Sequence, residues 1–149
     1  MRIIGFNIKK ITAEKKENPK GKLEIKQGLN IDNISEEELS LGDNKKSLKF
    51  DFTFKVDYSP VGLIELTGSV LMMDEKDEGK EILKDWKKKK FDHAIKMSLF
   101  NFIMDKCNLK ALSLEEEIGL PFHIPFPKLA PAQNKSSDSK NNNPANYAG

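Results

Sequence analysis

Arginine, cysteine and tryptophan occur once each in this chain, as Arg2, Cys107 and Trp86, and histidine occurs only twice. Each scarcity closes off some chemistry. With a single arginine there is no set of guanidinium forks for bidentate recognition of phosphate, carboxylate or guanine, so anions would be met by lysines as point charges. A single cysteine excludes an intrachain disulfide and any cysteine-clustered zinc or iron–sulfur site built from this chain alone, and a free thiol fits a reducing compartment. His93 and His123 lie far apart in sequence, and no glycine-rich phosphate loop or nucleophile elbow accompanies them. No enzymatic activity, cofactor or metal is therefore expected. No apolar run approaches the length of a membrane span, and the amino terminus lacks a basic region leading into an apolar segment and cleavage site. The expected location is the cytoplasm, without membrane insertion.

What is present fits one domain. The chain has 149 residues, 32% of them charged and 38% hydrophobic, and a formal charge of +2, too small to declare a polyanion partner. The lysine run Lys87-Lys88-Lys89-Lys90 has a simpler explanation at the end of a helix, and no aromatic-studded basic strand accompanies it, which counts against nucleic acid as a partner. The acidic run 74–78 fits a solvated helix start better than a site for a hard metal ion.

The strongest pattern spans residues 49–74. Phe50, Phe52, Phe54, Val56 and Tyr58 alternate with polar residues, and after Ser59-Pro60-Val61-Gly62 the alternation resumes in Ile64, Leu66, Val70 and Met72. A period of two over this length predicts an antiparallel hairpin with one buried face, and Pro60 and Gly62 suit the connection. One hairpin is marginal in water, so further strands and a helical cover are required. Ile4, Phe6 and Ile8 supply a first strand, with a phase slip before Ile11 of the kind a bulge on an edge strand makes. Residues 15–21 read as a loop. Leu23, Ile25, Leu29 and Ile31 predict a second strand over 22–31, with Gly28 a candidate bend. Residues 34–41 offer a short helical turn capped through Ser35 and Glu38, and 42–46 a polar loop.

After the hairpin the period changes. Ile82, Leu83 and Trp86 among charges predict a short amphipathic helix within 75–90. Asp92 is a candidate cap for a second helix with Ile95, Leu99, Phe102 and Ile103 on one face, and with Phe91, Met97, Phe100 and Met104 left for others. A bend is expected near Asn108, then a further turn or two opened by the capping box Ser113-Leu114-Glu115-Glu116 and stopped by Gly119. Leu120-Pro121-Phe122-His123-Ile124-Pro125-Phe126-Pro127-Lys128-Leu129 follows, an extended ribbon whose prolines exclude a helix or a central strand. Residues 130–149 are rich in Asn, Ser, Lys, Pro and Ala, and predict a disordered tail. His93, His123 and Cys107 read as structural residues, the cysteine as a small buried hydrophobe.

This order of elements, together with 63–74 running into the helix at 80–90, Cys107-Asn108-Leu109-Lys110-Ala111-Leu112, and the ending Gly119-Leu120-Pro121, Ile124-Pro125 and Pro127, resembles the SecB-like protein family, specifically its archaeal-type branch. The resemblance covers residues 1–129. It implies an α+β fold, a four-stranded antiparallel sheet covered by two C-terminal helices. It also implies an ATP-independent molecular chaperone that holds unfolded or presecretory polypeptides as a homo-oligomer and hands them on, with translocation machinery as a further partner. A holding surface needs adaptable apolar side chains, and the candidates are Phe122, Ile124, Phe126, Met72, Met73, Met97 and Met104, each of which could equally be core or subunit interface. The alternative is a non-catalytic accessory subunit docked on one dedicated protein or RNA-containing complex.

Overall fold

The computed structural model describes residues 1–39, 46–127 and 129–130. The tail expected over 130–149 lies outside them apart from Ala130, as does the loop expected over 42–46 apart from Lys46. Four strands, β1 (Arg2–Lys15), β2 (Glu24–Glu38), β3 (Lys46–Ser59) and β4 (Gly62–Met73), precede two helices, α1 (Gly79–Lys87) and α2 (Ile95–Ile118). The strands form one antiparallel sheet in the order β1-β4-β3-β2. This is the α+β architecture expected, with both helices on one face.

The alternation in β3 and β4 decides which face that is. Phe50, Phe52, Phe54, Val56 and Tyr58 of β3 and Ile64, Leu66, Val70 and Met72 of β4 are buried, while the intervening positions are at least partly open to water. α2 packs across β1, β3 and β4, and α1 lies over β2 and β3. The outer face carries polar cross-strand neighbours such as Lys55 opposite Glu65, and Lys9 reaches Asp51 at 3.3 Å. An antiparallel sheet with one wet face needs this pattern.

The edge strands shift register and so keep most of their apolar residues on the inner face, but Ile4, expected in phase with Phe6 and Ile8, is skipped by the ladder and 37% exposed. β1 has irregularities between Ile3 and Gly5 and between Ile8 and Lys10, so Ile3, Phe6, Ile8, Ile11 and Ala13 all oppose inward-facing residues of β4. The expected slip between Ile8 and Ile11 is thus a bulge on an edge strand. Phe6 stacks on Phe52 at 5.7 Å and meets Phe102 edge-on at 5.7 Å, tying this edge to α2.

β2 corrects two expectations. Its register shift falls between Ile31 and Asn33, not at Gly28, which pairs with Lys55 in an unbroken ladder. The bulge moves the apolar phase from Ile31 to Ile34, which opposes Phe50 and is buried. An apolar spacing of three looks helical in sequence, so the strand's continuation to Glu38 resembled a capped turn.

The helices correct four more. α1 is shorter than 75–90 because the Asp74 carboxylate accepts the backbone N–H groups of Glu78 and Gly79 at 2.9 and 2.8 Å, fixing the start. Asp77 and Lys89 hold positive φ on either side of it. α2 begins after Ala94, not at Asp92, and no side chain caps it. It runs unbroken for 24 residues, about 36 Å. No bend occurs at Asn108 because Leu99, Ile103, Cys107, Ala111 and Glu115 continue one buried stripe at steps of four. Ser113 therefore lies mid-helix, where the N–H groups that a cap would serve are already bonded. Gly119 ends α2 as expected, in the left-handed region at φ 75°.

Candidate functional site

The chain leaves α2 through a turn organised by one residue. The backbone carbonyl of Glu115 accepts the N–H groups of both Gly119 and Leu120 at 2.9 Å. Leu120 is buried against Gly62, where any side chain would collide with Leu120 and with the Glu14 carbonyl. From this seat residues 121–127 run with neither helix nor strand structure, as the prolines dictate.

The carboxylate of Glu115 then fixes the ribbon. Both it and the His123 side chain are fully buried. His123 donates its backbone N–H to Oε2 at 3.0 Å, and its Nδ1 lies 2.8 Å from Oε2 and 3.0 Å from Oε1. From below, the phenol of Tyr58 on β3 donates to Oε2. The opposite ring nitrogen of His123 lies 2.9 Å from Asn108 Oδ1, which also accepts from Gln27 Nε2 of β2 at 2.9 Å. A buried carboxylate is tolerated only when its lone pairs are met, and here two side chains and one backbone group meet them. Burial first, then the hydrogen bond to Glu115 and that group's charge, push the Tyr58 phenol well above its usual range. It stays a donor.

On this frame the predicted residues separate. Phe122 and Phe126 meet edge-on at 5.0 Å and are 48% and 51% exposed, and Ile124 between them is half-buried. Met104, also half-buried, joins them through Gln27, whose Nε2 lies 3.6 Å from its sulfur. Met97 stands near the other end of α2, 74% exposed. Met72 is a correction: at 2% exposure it is core, because its even phase on β4 turns it under the helices and away from any surface a polypeptide could reach. Met73, its neighbour on the opposite phase, is half-buried with its sulfur 3.7 Å from the Arg2 guanidinium. It sits at the end of β4 remote from Gly62 and Leu120. The ribbon and Met104 form one locale, Met97 a second, and Met72 and Met73 neither.

Glu115, Tyr58, Asn108 and Gln27 were not among the predicted site residues. One signal was available for Glu115, which follows Ala111 by four and so falls on the stripe that buries Leu99, Ile103 and Cys107. Tyr58 was visible as core but its polar tip had no partner in sequence. Cys107 is buried, and burial pushes its thiol up to about 12, as befits a small hydrophobe. His93 binds Asp85 through Nε2 at 2.9 Å and pins the loop before α2 onto α1. Among the described residues no group of three histidine, cysteine or acidic side chains could hold a metal ion, and no helix is long and apolar enough to cross a membrane.

No family model matches the chain, and no curated protein does. Among solved structures, a Mycobacterium tuberculosis SecB-like chaperone in complex with a ChAD peptide from the HigA1 antitoxin is similar over 89% of this chain and 92% of that one. The identity is 11% and the TM-score 0.45.

Proposed function

We propose that this protein is an ATP-independent chaperone that holds unfolded or presecretory polypeptides in the cytoplasm, a member of the archaeal-type SecB-like branch, working as a homo-oligomer and without cofactor or catalysis. One observation carries the reading. The ribbon is fastened by polar bonds to Glu115, and its two phenylalanine rings, half open to water, contribute little to the fastening. Apolar groups that a chain holds in place without burying are available to another chain. Met104, linked to His123 through Gln27 and Asn108, adds an unbranched, polarisable side chain that adapts to varied partners. Translocation machinery would receive the held polypeptides.

Assembly follows from the same surfaces. Both outer strands present long edges, and Met97 and Leu109, 74% and 69% exposed, sit on the outside of α2. Edge pairing, helix packing or both would cover them in a homo-oligomer. Light scattering with sedimentation tests this, and a strict monomer at high micromolar concentration would contradict it.

The functional test dilutes a chemically unfolded model substrate into buffer with the protein and no nucleotide. Delayed aggregation is expected, and replacing Phe122 and Phe126 by Ser should weaken the delay while leaving the melting point nearly in place. A protein that delays nothing and co-purifies with one stoichiometric partner would instead be a dedicated accessory subunit.

A further inference from the structure

The start of α2 differs in charge from the ribbon. Asp92, His93, Lys96, Met97, Phe100 and their neighbours line an open hollow of about 430 Å³ whose floor is apolar. Lys96 holds its ammonium 5.6 Å from the centre of the Phe100 ring, so a cation stands over the aromatic wall. The loop leading in is Lys88-Lys89-Lys90, and Lys90 is two residues from the hollow's first residue, within about 7 Å along the chain. His93 bonded to Asp85 folds this loop back against α1, on which Lys84 and Lys87 are exposed.

These lysines are not neutralised from within. Among the described residues none of Lys84, Lys87, Lys88, Lys89, Lys90 or Lys96 pairs with a carboxylate, and Asp85, the nearest acid on α1, is engaged by His93. The first turn of α2 carries no acidic residue. Lys96 in the lining, with Lys88, Lys89 and Lys90 just before the hollow in the chain, outnumbers the one lining carboxylate, Asp92, and the apolar wall strengthens the field these charges make. Helix-end electrostatics explains Lys87 and its neighbour, but not Lys96 at the start of the next helix.

We infer that this hollow and its lysine rim bind an extended polypeptide in which an apolar side chain is flanked by aspartate or glutamate. The apolar group occupies the space between Met97 and Phe100, and the flanking carboxylates meet the rim as point charges, a task suited to flexible lysines. The inference rests on the polypeptide-holding reading and adds a selectivity to it.

The test measures fluorescence anisotropy of a labelled peptide of about twelve residues, two aromatic residues flanked by aspartates, against its twin with asparagines, using the full chain. Exposed charge pairs are weak singly, so about tenfold tighter binding of the acidic peptide is the size expected from several together. Replacing Lys87, Lys88, Lys89 and Lys90 together by Gln should bring the acidic peptide down to the level of its twin. Met97→Ser should weaken both peptides, and raising salt from about 0.05 to about 0.5 M should erase the preference. Equal affinity for the twins, a preference that survives the Gln variant, or displacement by a single-stranded oligonucleotide as readily as by unlabelled peptide would overturn the assignment. Suppressed aggregation without any acidic preference sinks this inference alone. Acidic preference without suppressed aggregation sinks the holding reading and leaves a binding site for acidic peptides.

Discussion

The two ends of α2 solve opposite problems. Its end is closed: Gly119 turns the chain, Leu120 is seated, and the Glu115 carboxylate binds Tyr58 and His123 with no access for water. Its start is open, with no side-chain cap and a hollow lined by Lys96, Met97 and Phe100. The contrast shows how one helix can anchor an irregular segment rigidly while leaving apolar groups uncovered at both ends. At the closed end the work is done by a buried carboxyl group, which is costly unless fully partnered. At the open end Met97 is 74% exposed.

If this contrast is right, the largest effect of any single change lies at the closed end. Glu115→Ala removes the acceptor for the phenol, the imidazole and the ribbon backbone together, and should lower stability by about 3–5 kcal/mol in chemical denaturation. Tyr58→Phe keeps the ring and deprives the carboxylate of one donor, a loss of about 1–3 kcal/mol. An effect near zero for Glu115→Ala would mean the catch is not what holds the ribbon.

Alkaline pH sharpens the same point. Cys107 and Tyr58 both keep their protons in the folded chain beyond the pH at which the unfolded chain releases them, from 9.0 and 10.0 respectively. The folded state then binds more protons than the unfolded one, so stability falls as pH rises, by about 1.4 kcal/mol per pH unit for each group. The contribution is fully retained below about pH 9. Denaturation curves between pH 7 and 11 should show the decline, and Tyr58→Phe should make it shallower above pH 10.

Smaller effects belong to the exposed groups. Replacing Phe122 and Phe126 together by Ser removes one edge-on pair, worth about 0.5–1.5 kcal/mol beyond the partial burial of two half-exposed rings. A loss of several kcal/mol would make them core cover. Deleting residues 131–149 should change the melting point least, because their composition has little apolar area to bury; a large fall would contradict that reading.

The hairpin was fully legible because one buried face forces a period of two, and a one-residue slip would expose every phenylalanine in β3. Of the two shifts in β1, the one between Ile8 and Lys10 was legible for the same reason, and the one that skips Ile4 was not. What failed did so where a register shift imitates another structure: Asp32 is skipped in the β2 ladder, and the Ile31 to Ile34 spacing then suggests a turn. The second failure and the missed site are the same residue. Ser113-Leu114-Glu115-Glu116 has the pattern of a capping box, so its glutamates read as solvent-facing, whereas the stripe from Leu99 through Ala111 carries Glu115 inward. Its partners come from β3 and from the ribbon, and no local pattern announces a meeting of residues 58, 115 and 123. Met72 was misassigned to a surface although its phase in β4 already placed it inside.

The central claim is that a buried carboxylate holds the ribbon so that Phe122 and Phe126 can engage an unfolded chain. It is tested most directly by light scattering of a chemically unfolded substrate diluted with the unmodified protein and, in parallel, with the Phe122→Ser, Phe126→Ser variant, at equimolar subunits and without nucleotide. Delayed aggregation is expected with the unmodified protein and a clearly shorter delay with the variant, at an almost unchanged melting temperature. Failure of the unmodified protein to delay aggregation of any of several substrates, or a variant that holds them equally well, would contradict it.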